Sequence, residues 1–500
     1  MKTKLFFLTV VLLIAGKNLA QSSRAYYVMD KLKQLNGFFQ QPVNRHPAAT
    51  GYTLDSIVHQ NYDAGTSSYV IGTHDVYSYD NDFHNTEWIA GLWNGNAYDQ
   101  NYKEEYFYTN DGKISEINVY SDQNGTLAPE SKAIYNYNND GQLSEIIVQN
   151  YNNGQFENDE KLEFSYNQST DVYPNQILVY EWSGGNWQYL GKVDITYSTS
   201  GYGYTELIFY QYNNNSWEKT MKFVRTYDSN GRLTEELHKV WAVNIWIDVE
   251  KKLLTYNTQN GNLETTVEMY DLTSGSPSIQ NRIFFVLDAQ QNLLQEDRYR
   301  LDNSGQNLIG DTRQVFAYNQ NDVVMEKFNW DTQSGDWETD SLYKEIYTYD
   351  MSIDKNDLIL PFRESNQLFD VGSLFDDDLV PDYDIYHHKI TSKETFNRAS
   401  ASGNWEPDKK SLFYYDQVTA VEEYNLIPVI VFPNPFNDNI RFEVEAEEFD
   451  VNIYGLDGKL LYQNKQHNDE DINLGFLNKG IYIYKIKTDK GIATGQVIKN

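Results

Sequence analysis

Hydrophobic and polar positions alternate along most of this chain with the period of β-strands. A turn rich in Asn, Asp and Gly resets the alternation every 29 to 31 residues between 108 and 349. "YNYNNDGQLSEI" (135–146), "RTYDSNGRLTEEL" (225–237) and "LTYNTQNGNLETT" (254–266) share one frame: an aromatic, a short Asn/Asp/Gly stretch, a Leu or Ile, and often a Glu. Counted from a basic residue, an aromatic stands five positions on: Lys103 to Tyr108, Lys132 to Tyr137, Lys161 to Tyr166, Lys192 to Tyr197, Lys222 to Tyr227, Lys251 to Tyr256, Arg313 to Tyr318, Lys344 to Tyr349 and Lys410 to Tyr415. After Arg282 the position holds Leu287. Five positions before the basic residue stand Trp187, Trp217, Trp246 and Trp405, or Phe156, Leu127 and Leu308 in other copies.

Side chains alternate across a strand, so even separations share a face. The Trp and Tyr, ten apart, are expected together on an aromatic core face, with the basic residue on the opposite face, provided no bulge intervenes. That is the pattern of a half-buried antiparallel strand. The Asn/Asp/Gly stretch reads as a tight turn in which Gly takes positive φ. Each copy is then a two-stranded hairpin that cannot bury its aromatic face alone, and about ten copies, or roughly twenty strands, complete it by stacking. The expected fold is all-β: an array of antiparallel hairpin repeats, as an extended ribbon or solenoid, with a closed propeller as the competing architecture.

The repeat region is placed at 54–425, with an insertion at 350–400 where the frame lapses. Residues 1–20 have a basic start, an apolar run from Leu5 to Ala15 and Ala20 before Gln21, the pattern of a secretory signal peptide. Residues 21–53 are expected to cap the array, with a helix over 23–35 that puts Val28, Met29, Leu32 and Leu35 on one face. No later run is long and apolar enough for a membrane-spanning helix. From 429 to 500 the pattern changes to about seven short strands, among them Ile440, Phe442 and Val444 alternating with Arg441, Glu443 and Glu445. A small Ig-like β-sandwich is expected there.

Two stretches resemble known families. "YDSNGRL" (227–233) is similar to the YD-type repeat of Rhs and teneurin-like proteins, which implies a long winding β-ribbon. Residues 429–500 resemble the C-terminal sorting domain of the type IX secretion system. The match rests on Pro433-Asn434-Pro435, the "IYGLDGKLL" hairpin with Gly458 and Lys459, Gly480-Ile481-Tyr482 and a basic last strand with Lys499. The resemblance implies a cargo taken across the outer membrane by that machinery, then released or held on the extracellular side of a Gram-negative cell.

Net charge and composition narrow the partners. A formal charge of −32 disfavours nucleic acid and anionic lipid. The absence of cysteine removes disulfides, thiol nucleophiles and thiolate metal sites. Catalytic signatures are missing as well, with no G-x-S-x-G, no H-E-x-x-H and no phosphate-binding glycine loop. The repeating Glu116, Glu145, Glu206, Glu235, Glu296 and Glu326 suit a cross-strand charge ladder better than a reaction centre, which needs one special place. Trp88, Trp182, Trp241 and Trp330 fall outside the anchor position and are expected as exposed platforms. The densest acidic cluster, Asp376, Asp377, Asp378, Asp382 and Asp384, offers oxygen ligands of the kind calcium takes, with a solvated acidic loop as the alternative. No other cofactor is implied. The expectation for function is a non-enzymatic exported repeat protein whose body binds, adheres or scaffolds through an extracellular glycan or protein ligand. A polysaccharide-active or other hydrolytic enzyme, with its site in the 350–400 insertion, is the competing reading.

Overall fold

The computed structural model describes residues 50–198, 203–361, 385–419, 429–446, 448–454, 460–467, 470–488 and 492–500. Among them there is no α-helix, and a single 3₁₀ turn at Lys355–Asp357 interrupts the strands. The chain divides into two units, Met1–Val418 and Thr419–Asn500.

The first unit is a single closed antiparallel β-barrel of 22 strands, neither a solenoid nor a propeller. It begins with Thr50–Asp63, and each later strand hydrogen-bonds to the one before it, as far as Asp322–Phe328. Tyr343–Asp354, His388–Asn397 and Glu406–Thr419 follow, and the last of these pairs back onto Thr50–Asp63. The seam is tied by side chains as well: His59 Nδ1 lies 2.8 Å from Ser411 Oγ, and Thr53 Oγ1 donates to the Asp416 carbonyl at 3.4 Å. A two-residue strand, Leu358–Ile359, adds a parallel pairing to Tyr52 and Thr53. The first strand therefore starts inside the segment read from sequence as a cap, and the helix expected over 23–35 lies outside the described residues. The insertion at 350–400 is partly strand, because Tyr343–Asp354 and His388–Asn397 are wall strands.

Closure solves the problem that a hairpin array leaves at its two ends, since a barrel has no free edge to template aggregation. One face of the wall carries the apolar residues of every copy. Ile117, Ala133, Ile146, Val193, Leu207, Phe209 and Val267 are fully buried there. The repeat tyrosine closes the core at the turn end of each hairpin. The hydroxyls of Tyr108, Tyr137, Tyr166, Tyr197, Tyr227 and Tyr256 donate to the carbonyls of Asn85, Ile114, Leu143, Pro174, Tyr204 and Leu233, each 23 residues back. The spacing joins each of these hairpins to its predecessor and explains why the position favours Tyr. Removing one such hydroxyl, as in Tyr166→Phe, should lower stability by about 0.5–1.5 kcal/mol in urea unfolding, because it orphans the Leu143 carbonyl.

The Asn/Asp stretch has an equally specific role. Asp228 Oδ1 accepts from the backbone N–H of Asn230 and Arg232, both at 2.9 Å, and Asn138 Oδ1 does the same for Asp140 and Gln142. Gly141 and Gly231 then take φ of 77° and 80°, as the turn demands.

In the second unit two small sheets share one core. Val429–Phe432, Asn439–Val444 and Ile472–Asn473 form one sheet. Leu460–His467, Glu448–Tyr454, Gly480–Lys487 and Ile492–Lys499 form the other. Ile440, Phe442 and Val444 point into that core with Val451, Ile453, Ile486 and Val497.

Candidate functional site

The opposite face of the barrel wall is half-exposed and charged. Lys–Glu pairs 16 residues apart cross adjacent strands: Lys103–Glu87 at 2.9 Å, Lys222–Glu206 at 2.7 Å, Lys251–Glu235 at 2.8 Å and Lys410–Glu394 at 2.8 Å. The expected charge ladder is present at Glu116, Glu145, Glu206 and Glu235. Glu145 meets Lys161 diagonally, since its direct register partner is Glu163. Glu296 instead pairs with Arg298 on its own strand, and Glu326 stands opposite Lys344.

The tryptophans of the repeat lie on this charged face, not in the core. Nine copies carry a one-residue bulge two positions before the basic residue: Asn101, Glu130, Asp159, Leu190, Thr220, Val249, Gln280, Asp311 and Asp408 are skipped in the strand register, while the pairings of the Lys344 copy show none there. The extra residue reverses the side-chain alternation, so Trp and Lys share a face and Trp and Tyr do not. Most of these rings then pair edge to face with an aromatic across the tight turn. The pairs include Tyr151–Phe156, Trp182–Trp187, Tyr212–Trp217, Trp241–Trp246 and Trp330–Trp337, with centroids 4.9–5.2 Å apart. The basic residue of the preceding copy sits over the ring: Lys132 on Phe156, Lys161 on Trp187, Lys192 on Trp217, Lys222 on Trp246 and Arg313 on Trp337. Trp182, Trp241 and Trp330 are thus half-buried partners of other tryptophans, not exposed platforms. Trp88 packs on Tyr102 and donates its Nε1–H to Asp75 at 2.9 Å.

This ladder lapses at Lys103, where position 127 holds Leu127, and again over two consecutive copies. Lys251 and Arg282 would be covered by rings at positions 277 and 308, but those positions hold Pro277 and Leu308. Side-chain exposure rises accordingly, from 11% at Lys161 and 16% at Lys192 to 32% at Lys251 and 40% at Arg282. An open groove of about 560 Å³ occupies the gap, crossing the strands from Ile245–Gln259 to Leu308–Tyr318. Its floor alternates by register: Thr255 faces Thr266, Thr266 faces Phe284, Phe284 faces Asp297, and Asp297 faces Arg313. Asp297 is buried and held in a two-pronged ion pair by Arg313, whose Nε and Nη2 both lie 2.7 Å from its oxygens. Gln295 Nε2 adds a bond at 3.0 Å. Glu268 accepts from Arg282 Nη2 at 2.6 Å and from the Tyr270 hydroxyl. Burial alone would raise the Glu268 carboxyl, but those two hydrogen bonds and the Arg282 charge outweigh it and hold it below the ordinary value. The short hairpin carrying Trp330 and Trp337 lies beside the groove, with Trp337 edge-on to Tyr299 at 5.6 Å. A side chain at Gly310 would collide with both indoles, since a Cβ there comes within 2.2 Å of Trp330 and 2.8 Å of Trp337.

A second cluster lies on the apolar face. Glu236, 2% exposed in its side chain, accepts from Arg225 Nε at 2.6 Å, Lys252 Nζ at 3.2 Å and the Tyr204 hydroxyl at 3.1 Å, with His238 Nε2 at 2.8 Å. Desolvation would raise the Glu236 carboxyl, but the His238 hydrogen bond and the Arg225 and Lys252 charges pull it far below its usual range. The cluster is closed to ligands and reads as a structural network. Asp80, Asp82 and His84 converge near one turn, where Asp80 caps the backbone of Asp82 and His84.

The sequence-based calcium residues Asp376, Asp377, Asp378, Asp382 and Asp384 lie outside the described residues. Of the sorting-signal residues, Gly458 and Lys459 also lie outside them. The structure brings several of the others together at the last strand. Asn434 Oδ1 accepts from the Ile498 N–H at 2.9 Å, and Gly480 is the register partner of Lys499. Buried Lys499 bonds to the Asn437 carbonyl and to Asp438. Tyr482 ties its hydroxyl to the Asn478 carbonyl at 2.7 Å, and Pro433 and Pro435 flank Asn434.

Residues 430–500 match the family model of the secretion system C-terminal sorting domain, which identifies this end as a type IX secretion sorting tail and marks the protein as one exported to the surface or beyond. No curated protein matches the chain. Among solved structures, it is similar to a porin-like protein from Bacteroides uniformis, at 12% identity and a TM-score of 0.24, covering 47% of this chain and 96% of that one. A protein of unknown function from Bacteroides fragilis matches at 11% identity and a TM-score of 0.20, over 25% of this chain and 91% of that one. A DUF3836 family protein from Parabacteroides distasonis matches at 18% identity and a TM-score of 0.15, over 21% and 92%. Likeness at that level carries no functional meaning.

Proposed function

We propose that the barrel is an exported recognition module that works in water at or beyond the cell surface, binding through the charged, tryptophan-bearing face of its wall. The observation that carries this reading is the distribution of side chains over the two faces. A barrel that spans a membrane needs an exposed apolar band, and a Lys or Arg at mid-membrane depth costs it about 2–4 kcal/mol. Here the apolar face is buried, and the exposed face repeats ion pairs such as Lys103–Glu105 at 2.6 Å and Arg300–Asp311 at 2.8 Å along the wall. Neither face suits lipid. No described helix is long and apolar enough to cross a membrane either.

The groove chemistry favours binding over catalysis. A glycosidase acid needs a carboxyl raised toward neutrality. Glu268 is held in the opposite direction, as an acceptor fixed by Arg282 and Tyr270.

The mature protein, incubated with vesicles of phosphatidylethanolamine and phosphatidylglycerol and floated on a density gradient, should stay in the aqueous fractions. On arrays of polysaccharides and extracellular-matrix proteins it should show saturable binding. Flotation that survives alkaline carbonate, with no array binding, would overturn the proposal.

A further inference from the structure

We infer that the groove between Thr255 and Arg313 is a binding site for a neutral oligosaccharide. The inference rests on the barrel being a recognition module and names the class of ligand. Three observations lead to it.

First, the site is where the ladder lapses over two consecutive copies. The ladder is interrupted at Pro277 and Leu308, leaving Arg282 in the groove lining 40% exposed and Lys251, outside the lining, 32% exposed. The basic anchor is Lys in the other copies, and the two copies bordering the groove, at 282 and 313, carry Arg. Arg holds a carboxylate with two of its donors and keeps others for a ligand, which a Lys cannot do in one plane.

Second, the groove is electrically balanced. Arg282 is matched by Glu268 and Arg313 by Asp297, on a chain whose net charge is −32. An anionic ligand would meet no excess positive charge, and a cationic one would find both carboxylates occupied by arginine.

Third, the polar groups alternate in kind. Arg N–H groups not spent on Glu268 and Asp297 donate, and Thr255, Thr266 and Gln295 both donate and accept, while Phe284 and Tyr299 add apolar ring surface. A pyranose presents that combination: hydroxyls that donate and accept around a ring with an apolar face. The five strands span about 19 Å at ~4.8 Å each, room for an extended chain of a few sugar units.

The test uses mature protein and calorimetric titration with cello-, xylo-, manno- and maltohexaose, beside a uronate and a sulfated oligosaccharide of similar length. At least one neutral oligosaccharide should bind. Arg282→Ala should weaken it about tenfold or more. Leu308→Trp, which restores the missing ring over Arg282 and fills the groove, should abolish it with melting temperature unchanged or raised. Asp140→Asn, in an exposed turn away from that face, should leave it intact. Binding only of the acidic oligosaccharides, binding of none, or binding insensitive to Leu308→Trp would each overturn the assignment. These failures are distinct from failure of the recognition-module reading, which the vesicle and array measurements decide.

Discussion

Replacing Glu236 with alanine should destabilise the barrel by about 3–5 kcal/mol, because it strands two buried cations. Lys252 is 1% exposed in its side chain and Arg225 12%, and both point at this one carboxylate. Water cannot reach them well enough to replace it. The mutation leaves a desolvated charge pair with no counterion, while the Tyr204 hydroxyl loses its acceptor. The pH dependence follows from the depressed Glu236 carboxyl. A group whose folded value lies below its unfolded value of 4.5 contributes stability that is fully present above that value and is lost as pH falls through the folded one. Urea unfolding of the wild type should therefore show stability falling below about pH 4.5, and Glu236→Gln should remove part of that slope and lower the plateau at neutral pH. A wild-type-like midpoint for Glu236→Ala at pH 7 would show that the cluster is hydrated, not buried.

Hairpins, turns and the sorting tail were legible because each is local. A Tyr five residues after a Lys, an Asp that caps its own turn, and a Gly at positive φ are all decided within a few residues. Closure was not legible in that way. It depends on Thr50–Asp63 meeting Glu406–Thr419, and contacts such as His59 to Ser411 join residues 352 apart. No periodicity inside a hairpin counts how many copies complete a circle. The bulges were hidden for a different reason. Asn101, Glu130, Asp159, Leu190, Thr220, Val249, Gln280, Asp311 and Asp408 share no single residue type, since a bulge is a backbone event that tolerates many side chains. The groove was visible in principle: the missing aromatics at 277 and 308 and the switch from Lys to Arg at 282 and 313 stand in the frame. Its meaning depended on knowing that the aromatic covers the preceding cation, and that geometry follows only from the bulge.

The bulge also reverses an energetic ranking. Even spacing alone makes Trp217 a core residue, with the large loss on truncation that a core aromatic brings. Its position on the charged face predicts a smaller loss. Trp217 makes edge-on contacts with Tyr212 at 4.9 Å and Tyr189 at 5.3 Å and lies under Lys192 at 5.7 Å. Such contacts on a half-exposed ring sum to about 1–2 kcal/mol. Phe209, on the other face of the same hairpin, is fully buried, packed against Phe223 with centroids 5.6 Å apart. Phe209→Ala removes a whole ring from a closed wall whose neighbours are fixed by the ladder, so the cavity cannot collapse, and it should cost about 3–5 kcal/mol. Chemical unfolding of the two variants side by side is the measurement. The larger loss should fall on Phe209→Ala by a clear margin, with unchanged dependence on denaturant. A larger loss for Trp217→Ala would place the tryptophan in the core after all, and would mean that the bulge at Thr220 does not reverse the alternation in solution.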